Sequence, residues 1–113
     1  MTSKMMISTK ITKLFQCKYP ILLPGMSWIS TPELVAAVCN SGGVGILATG
    51  PLSVEETRQS IEKIRNLLHN PDSSKFGIGV TLLMPGATEN AQIGLDMEVP
   101  IINVSLGKAE WIA

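Results

Sequence analysis

The side chains that first suggest acid–base or nucleophilic chemistry are His69, Cys17, Cys39 and the adjacent carboxylates Glu55 and Glu56. None stands in a catalytic pattern. His69 follows an amphipathic helical stretch, where an imidazole near the last carbonyls is an ordinary surface feature. Helix C-termini in alternating strand–helix folds also point away from the strand ends that carry ligands. Cys39 lies on an apolar helix face and reads as a small packing residue. Glu55 and Glu56 sit at a helix start, where the dipole favours carboxylates without any catalytic role. The two cysteines are far apart, with no CxxC or Cys/His spacing, so neither a zinc site nor a disulfide framework is encoded. The residues themselves therefore assign no catalytic side chain and no metal ligand.

A different chemistry is legible in the stretch Tyr19 to Trp28, "YPILLPGMSW". A buried strand that merely stopped would need one turn residue, whereas this one ends in Pro24, Gly25, Met26 and Ser27. Gly25 permits a backbone to approach a flat ligand closely. The amides of Met26 and Ser27 would then be free to donate hydrogen bonds, and the polarizable Met26 side chain would cover an aromatic ring. The same residues also fit an ordinary loop in which Met26 and Trp28 close the mouth of the fold. Thr81, near the end of another apolar run, has the same two readings: a β-branched core filler, or a hydroxyl aimed at a ligand. The remaining glycine-rich pieces are structural. In "GVGILA" the order is helix, glycines, strand, whereas a dinucleotide fingerprint needs strand, glycines, helix. The glycines of "GIGVTL" lie inside a strand, and no GxxxxGK[ST] occurs.

These candidates must be positioned by alternating strands and helices. Pro20 to Leu23 is a short apolar strand. Thr31 and Pro32 are an N-cap and a first helical proline, and Gly42 and Gly43 end that helix. Val44 to Ala48 is a second buried strand. Ser53, three residues before Glu56, makes a capping box, and Val54, Ile61, Ile64 and Leu68 recur at helical spacing. A turn at "NPDSS" leads to a third strand, Phe76 to Leu83. A weaker helix from about Thr88 to Asp96 precedes a fourth strand, Pro100 to Val104. Strands separated by helices at this spacing mean right-handed crossovers and a parallel sheet. The pattern is α/β: a TIM-type (β/α)8 barrel needs ~250 residues, and on that reading this chain holds about the first four βα units. An open parallel sheet with helices on both faces is the rival architecture. In either case the loops after the strands are where chemistry belongs.

Composition narrows the partners. Of 113 residues, 45% are hydrophobic and only 16% charged, which suits strands buried on both faces. Nine basic residues balance nine acidic ones without a basic patch, so nucleic acid is disfavoured as a partner. No segment approaches the ~20 apolar residues of a membrane span. The amino-terminal stretch, with Lys4, Lys10 and Lys13, has too short an apolar run for a signal peptide and lacks the arginines of a transit peptide. A cytoplasmic protein with a small-molecule substrate is expected.

The stretch "KYPILLPGMSWISTPELVAAVCNSGGVGILATG", followed by "KFGIGVTLLMP", resembles the amino-terminal half of the nitronate monooxygenases, formerly called 2-nitropropane dioxygenases. These FMN-dependent TIM-barrel enzymes are related to the flavin-dependent enoyl-acyl-carrier-protein reductases. The resemblance runs from about Ile11 to Ile112, and its most specific parts are the glycine-methionine turn, "PELVAAVCNSGGVG" and the "FG" opening of the third strand. It implies that residues 1–113 form the amino-terminal part of one FMN-binding barrel domain, and that Gly25, Met26, Ser27 and Thr81 contact the flavin. It also implies that the histidine base and the phosphate-binding loops belong to the later half of the barrel. Two departures bear on substrate and subfamily. Gly79 in "GIG" stands where many members have an asparagine in "GVN", and Val104, Ser105, Leu106 and Lys108 replace a Gly-Asn-Pro-type loop after the fourth strand.

The function implied is oxidation of alkyl nitronates with O2. One alternative on the same scaffold is an NAD(P)H-dependent reductase acting on a quinone or an enoyl thioester. Another is a non-catalytic fragment or partner subunit of a barrel. Apolar strands at both edges of a half-barrel also predict self-association of the isolated chain.

Overall fold

Local signals start two of the helices where they are expected. Thr31 caps the helix Pro32–Asn40 by accepting the Leu34 N–H, with Pro32 in its first turn. Ser53 and Glu56 form the reciprocal capping box of the helix Val54–Leu67. The computed structural model describes residues 7–72 and 74–113. Lys4 in the amino-terminal stretch and Ser73 in the "NPDSS" turn lie outside the described residues. The elements run α1 (Lys10–Phe15), β1 (Leu22–Leu23), α2 (Pro32–Asn40), β2 (Val44–Ala48), α3 (Val54–Leu67), β3 (Phe76–Thr81), α4 (Ala87–Asp96) and β4 (Ile101–Ser105).

Some boundaries differ from expectation, for identifiable reasons. Strand β1 keeps only Leu22 and Leu23, because prolines at 20 and 24 remove ladder donors on both sides. Strand β3 stops at Thr81, whose carbonyl accepts the Met84 N–H in a turn. Pro100 has no N–H to pair, and β4 begins one residue later. Helix α1 has only six residues, too few to show a periodic apolar pattern, and is started by a Thr9–Thr12 capping box.

All strand pairs are parallel and the sheet order is β1-β2-β3-β4. This order decides between the two candidate architectures. A doubly wound sheet reverses direction at a switch point, whereas consecutive right-handed crossovers to the next strand keep every helix on one side, as in a (β/α)8 barrel. The packing agrees. Leu47, Phe76, Ile78 and Val80 point into one buried cluster with Val35, Ala36 and Cys39 of α2, Ile61 and Ile64 of α3, and Ala91 and Ile93 of α4. Helix α2 lies directly on β2: a Cβ added at Gly45 would sit 2.7 Å from the Val35 carbonyl oxygen. The "GVG" glycines are thus a packing device, as their order relative to helix and strand implies.

The alternate strand residues face the other, concave side. Ala48, Gly79 and Asn103 are in register across β2, β3 and β4, and Thr81 pairs with Ser105 one step nearer the carboxyl ends.

Candidate functional site

At the carboxyl ends of the strands the concave face is nearly bare. The backbone of Gly25, just after β1, comes beside Ala48 and Gly79: a Cβ on Gly25 would lie 3.5 Å from the Ala48 Cα, and one on Gly79 would lie 3.7 Å from the Gly25 Cα. Gly25, Ala48 and Gly79 therefore make a flat floor of backbone and one methyl group. Gly25 does not have a positive φ, and its added Cβ would make only ordinary contacts, 3.4 Å from Ile46 Cγ2 at the nearest. Neither backbone geometry nor packing among the described residues demands glycine there. Its effect is to leave the floor open.

Polar groups border this floor on one side. The Thr81 and Ser105 hydroxyl oxygens are 3.2 Å apart, within hydrogen-bond distance. Asn103, exposed, stands beside Gly79 on the neighbouring strand. Asn103 and Ser105 are absent from the expected site because only the β3–β4 register places them beside Gly79 and Thr81. The period-2 alternation of "INVS" was the available signal, but it does not say which face is concave.

On the opposite side, the turn after β1 is held by Ser30, a residue that sequence reading does not single out. Buried Ser30 donates its Oγ–H to the Pro24 carbonyl at 2.6 Å and accepts the Met26 N–H at 3.0 Å. The Met26 carbonyl in turn accepts the N–H groups of Ile29 and Ser30. This corrects one expectation: the Met26 amide is already engaged within the turn and is not free for a ligand. The Ser27 N–H makes no hydrogen bond among the described residues, and Ser27 and the Met26 side chain are exposed at the rim. Trp28 is 79% exposed with φ +67° and lines a small cavity with Thr31, Pro32, Pro51 and Leu52.

The second strand-end loop, Thr49 to Leu52, touches the first. A Cβ on Gly50 would lie 3.5 Å from Ser27 Oγ. Thr49 is buried, and both its N–H (3.2 Å) and its Oγ–H (2.8 Å) donate to the Gly79 carbonyl.

The titratable candidates lie elsewhere or are consumed structurally. His69 follows the carboxyl end of α3, and its N–H donates to Asn40 Oδ1 at 2.8 Å. Glu56 accepts the Ser53 N–H in the capping box, which lowers its carboxyl below the usual range. Burial pushes the Cys39 thiol up, and its S–H donates to the Lys75 carbonyl at 3.3 Å, the state of a packing residue rather than a nucleophile. Among the described residues, no group of three or more His, Cys, Asp and Glu side chains is arranged to hold a metal.

A parallel half-barrel whose strand ends present a flat floor edged by hydroxyls is the ligand face of a TIM-type enzyme. The chain belongs to the nitronate monooxygenase family, whose model matches residues 8–104; flavin dependence is typical of that family. A probable nitronate monooxygenase of Staphylococcus saprophyticus is 34% identical over 109 residues, covering 89% of this chain and 31% of the relative. The (3aS,4S,5R,7aS)-5-hydroxy-7a-methyl-1-oxo-octahydro-1H-indene-4-carboxyl-CoA dehydrogenase of Rhodococcus jostii is 30% identical over 108 residues, 95% of this chain and 30% of the relative. Among solved structures, FabK from Thermotoga maritima matches with a TM-score of 0.86 at 29% identity, over 94% of this chain and 33% of that one. The chain thus spans about a third of the length of the proteins it matches.

Proposed function

We propose that Gly25, Ser27, Met26 and Thr81 form part of the FMN site of an oxidoreductase that oxidises alkyl nitronates with O2. One observation carries the reading. Gly25 adjoins Gly79 and Ala48 with no internal reason to be glycine, and the bare floor this leaves would suit a planar ring. The Ser27 N–H and the Thr81 hydroxyl would be the groups to hold the polar edge of the ring, and Met26 would contribute its side chain and not its amide. The flavin supplies the electron chemistry, and the protein supplies orientation and exclusion of water. In this reading the phosphate loops and the proton-abstracting base come from barrel residues beyond these strands. A cytoplasmic location belongs to the same reading; among the described residues no helix is long and apolar enough to cross a membrane.

A second reading is an NAD(P)H-dependent reductase of a thioester or quinone on the same ring floor. The similarity to a carboxyl-CoA dehydrogenase favours it. Anaerobic flavin reduction in the full natural chain separates the two. Bleaching of the flavin by an alkyl nitronate but not by NADH or NADPH is expected. Bleaching by the nicotinamides alone would transfer the site to the reductase reading.

A further inference from the structure

Behind the ring floor, on the helical side of the sheet, a buried amide stands in a largely apolar layer. Asn90 of α4 is 1% exposed among Ala87, Ala91 and Ile93. We propose that Asn90 is a positioning residue: it fixes the Thr49–Leu52 loop, and through that loop the ring floor and the turn that borders it. The proposal rests on the flavin reading above for its consequence, but not for its geometry.

The Asn90 amide nitrogen donates to two carbonyls of the same loop, Thr49 at 3.3 Å and Leu52 at 3.0 Å, across 41 and 38 residues of sequence. It therefore ties the two ends of the loop to α4. Its Oδ1 is buried with no hydrogen-bond partner among the described residues. A buried acceptor left in this state is costly, a cost set against the two hydrogen bonds that the amide nitrogen donates. The Thr49 carbonyl also accepts the Leu52 N–H, so what the amide adds is a link from both loop carbonyls to α4.

From the loop, the connections reach both sides of the floor. Thr49 donates twice to the Gly79 carbonyl, and the Leu52 N–H closes the loop on the Thr49 carbonyl at 2.9 Å. Ala48, the residue before the loop, donates its N–H to the Ser30 carbonyl at 3.3 Å. Ser30 in turn clasps Pro24 and Met26 around Gly25. Gly50 lies against Ser27. Each link is a hydrogen bond or a van der Waals contact, so displacement of the loop moves the Gly79 carbonyl and the Ser27 rim together.

The test uses the full natural chain carrying Asn90→Leu or Asn90→Asp, with Ile64→Val as a control for general destabilisation of the helical layer. Amide hydrogen exchange is followed at Leu52 and Thr49, and at Ile78 in mid-strand. Asn90→Leu should speed exchange at Leu52 and Thr49 about tenfold more than at Ile78, and weaken FMN binding about tenfold. Ile64→Val should leave FMN affinity within about twofold. Asn90→Asp keeps the volume but turns an acceptor towards two carbonyls. FMN affinity relative to parent should fall at pH 8 and recover in part at pH 5, where a protonated carboxyl donates again. Loop exchange no faster than in the Ile64→Val control, or an Asp variant with no pH-dependent recovery, overturns the proposal. A parent chain that binds no FMN would instead defeat the flavin reading, and the exchange data alone would then decide the role of Asn90.

Discussion

Gly25 is glycine for neither of the usual reasons, a left-handed backbone or a crowded neighbour. Its replacement by valine should therefore leave the turn intact and act on whatever rests on the floor. We expect Gly25→Val to impair FMN binding most among single changes at the rim, because branched methyl groups would stand where the ring lies. Thr81→Val keeps the shape and removes only the hydroxyl, leaving Ser105 without its 3.2 Å neighbour. That loss should be on the order of 1 kcal/mol in FMN affinity, roughly a fivefold weakening. Fluorescence titration of the full natural chain gives both constants. Unchanged affinity in both variants would remove this face from the cofactor site.

At the scale of elements, helix starts are set by residues three apart, and one of them titrates. The backbone N–H of Ser53 and its hydroxyl hold the Glu56 carboxyl below its ordinary value of 4.5. A carboxyl whose folded value is depressed contributes stability that is complete above its unfolded value and is lost as pH falls through the folded one. The capping contribution of Glu56 should thus be present at pH 7 and fade below about pH 4.5. Urea midpoints of parent and Glu56→Gln should differ at neutral pH and converge towards pH 3. A constant difference across that range would show that the charge has no part in the cap. Elsewhere, the exposed Lys63–Glu33 ion pair links α3 to α2 and is of the kind that contributes little.

For the molecule as a whole, the sequential parallel sheet leaves the outer edges of β1 and β4 unpaired among the described residues. Apolar side chains cluster near these edges and the barrel ends, with Ile21 64%, Leu22 46% and Leu83 77% exposed. Unpaired edges with apolar flanks template association. We expect residues 1–113 prepared alone to form oligomers or aggregates, and to do so less when joined to the remaining strands of a barrel. Light scattering showing a compact, cooperatively unfolding monomer at micromolar concentration would contradict this.

Features that depend on neighbours within a few residues can be read along the chain. Thr31 with Pro32 and Ser53 with Glu56 start their helices where the caps demand, Val44–Ala48 is a strand because four apolar residues and Gly45 lie between a helix-ending glycine pair and a turn, and the Gly25–Ser27 turn is visible in its composition. Short elements escaped or shifted, as with α1 and β1, because a handful of residues carries little periodicity and prolines edit the ladder. Contacts 24 to 41 residues apart, such as Thr81 with Ser105 and Asn90 with Thr49, emerge only from the folded arrangement. Strand order chose a barrel-type sheet over a doubly wound one, and register chose Asn103 and Ser105 for the concave face. The Met26 amide, by contrast, goes to Ser30 only four residues on, a local bond that composition alone does not single out. Cap and turn energies are local and can be read along the chain, whereas a hydrogen-bond partner across the sheet exists only once burial and crossover handedness have set which strands are neighbours.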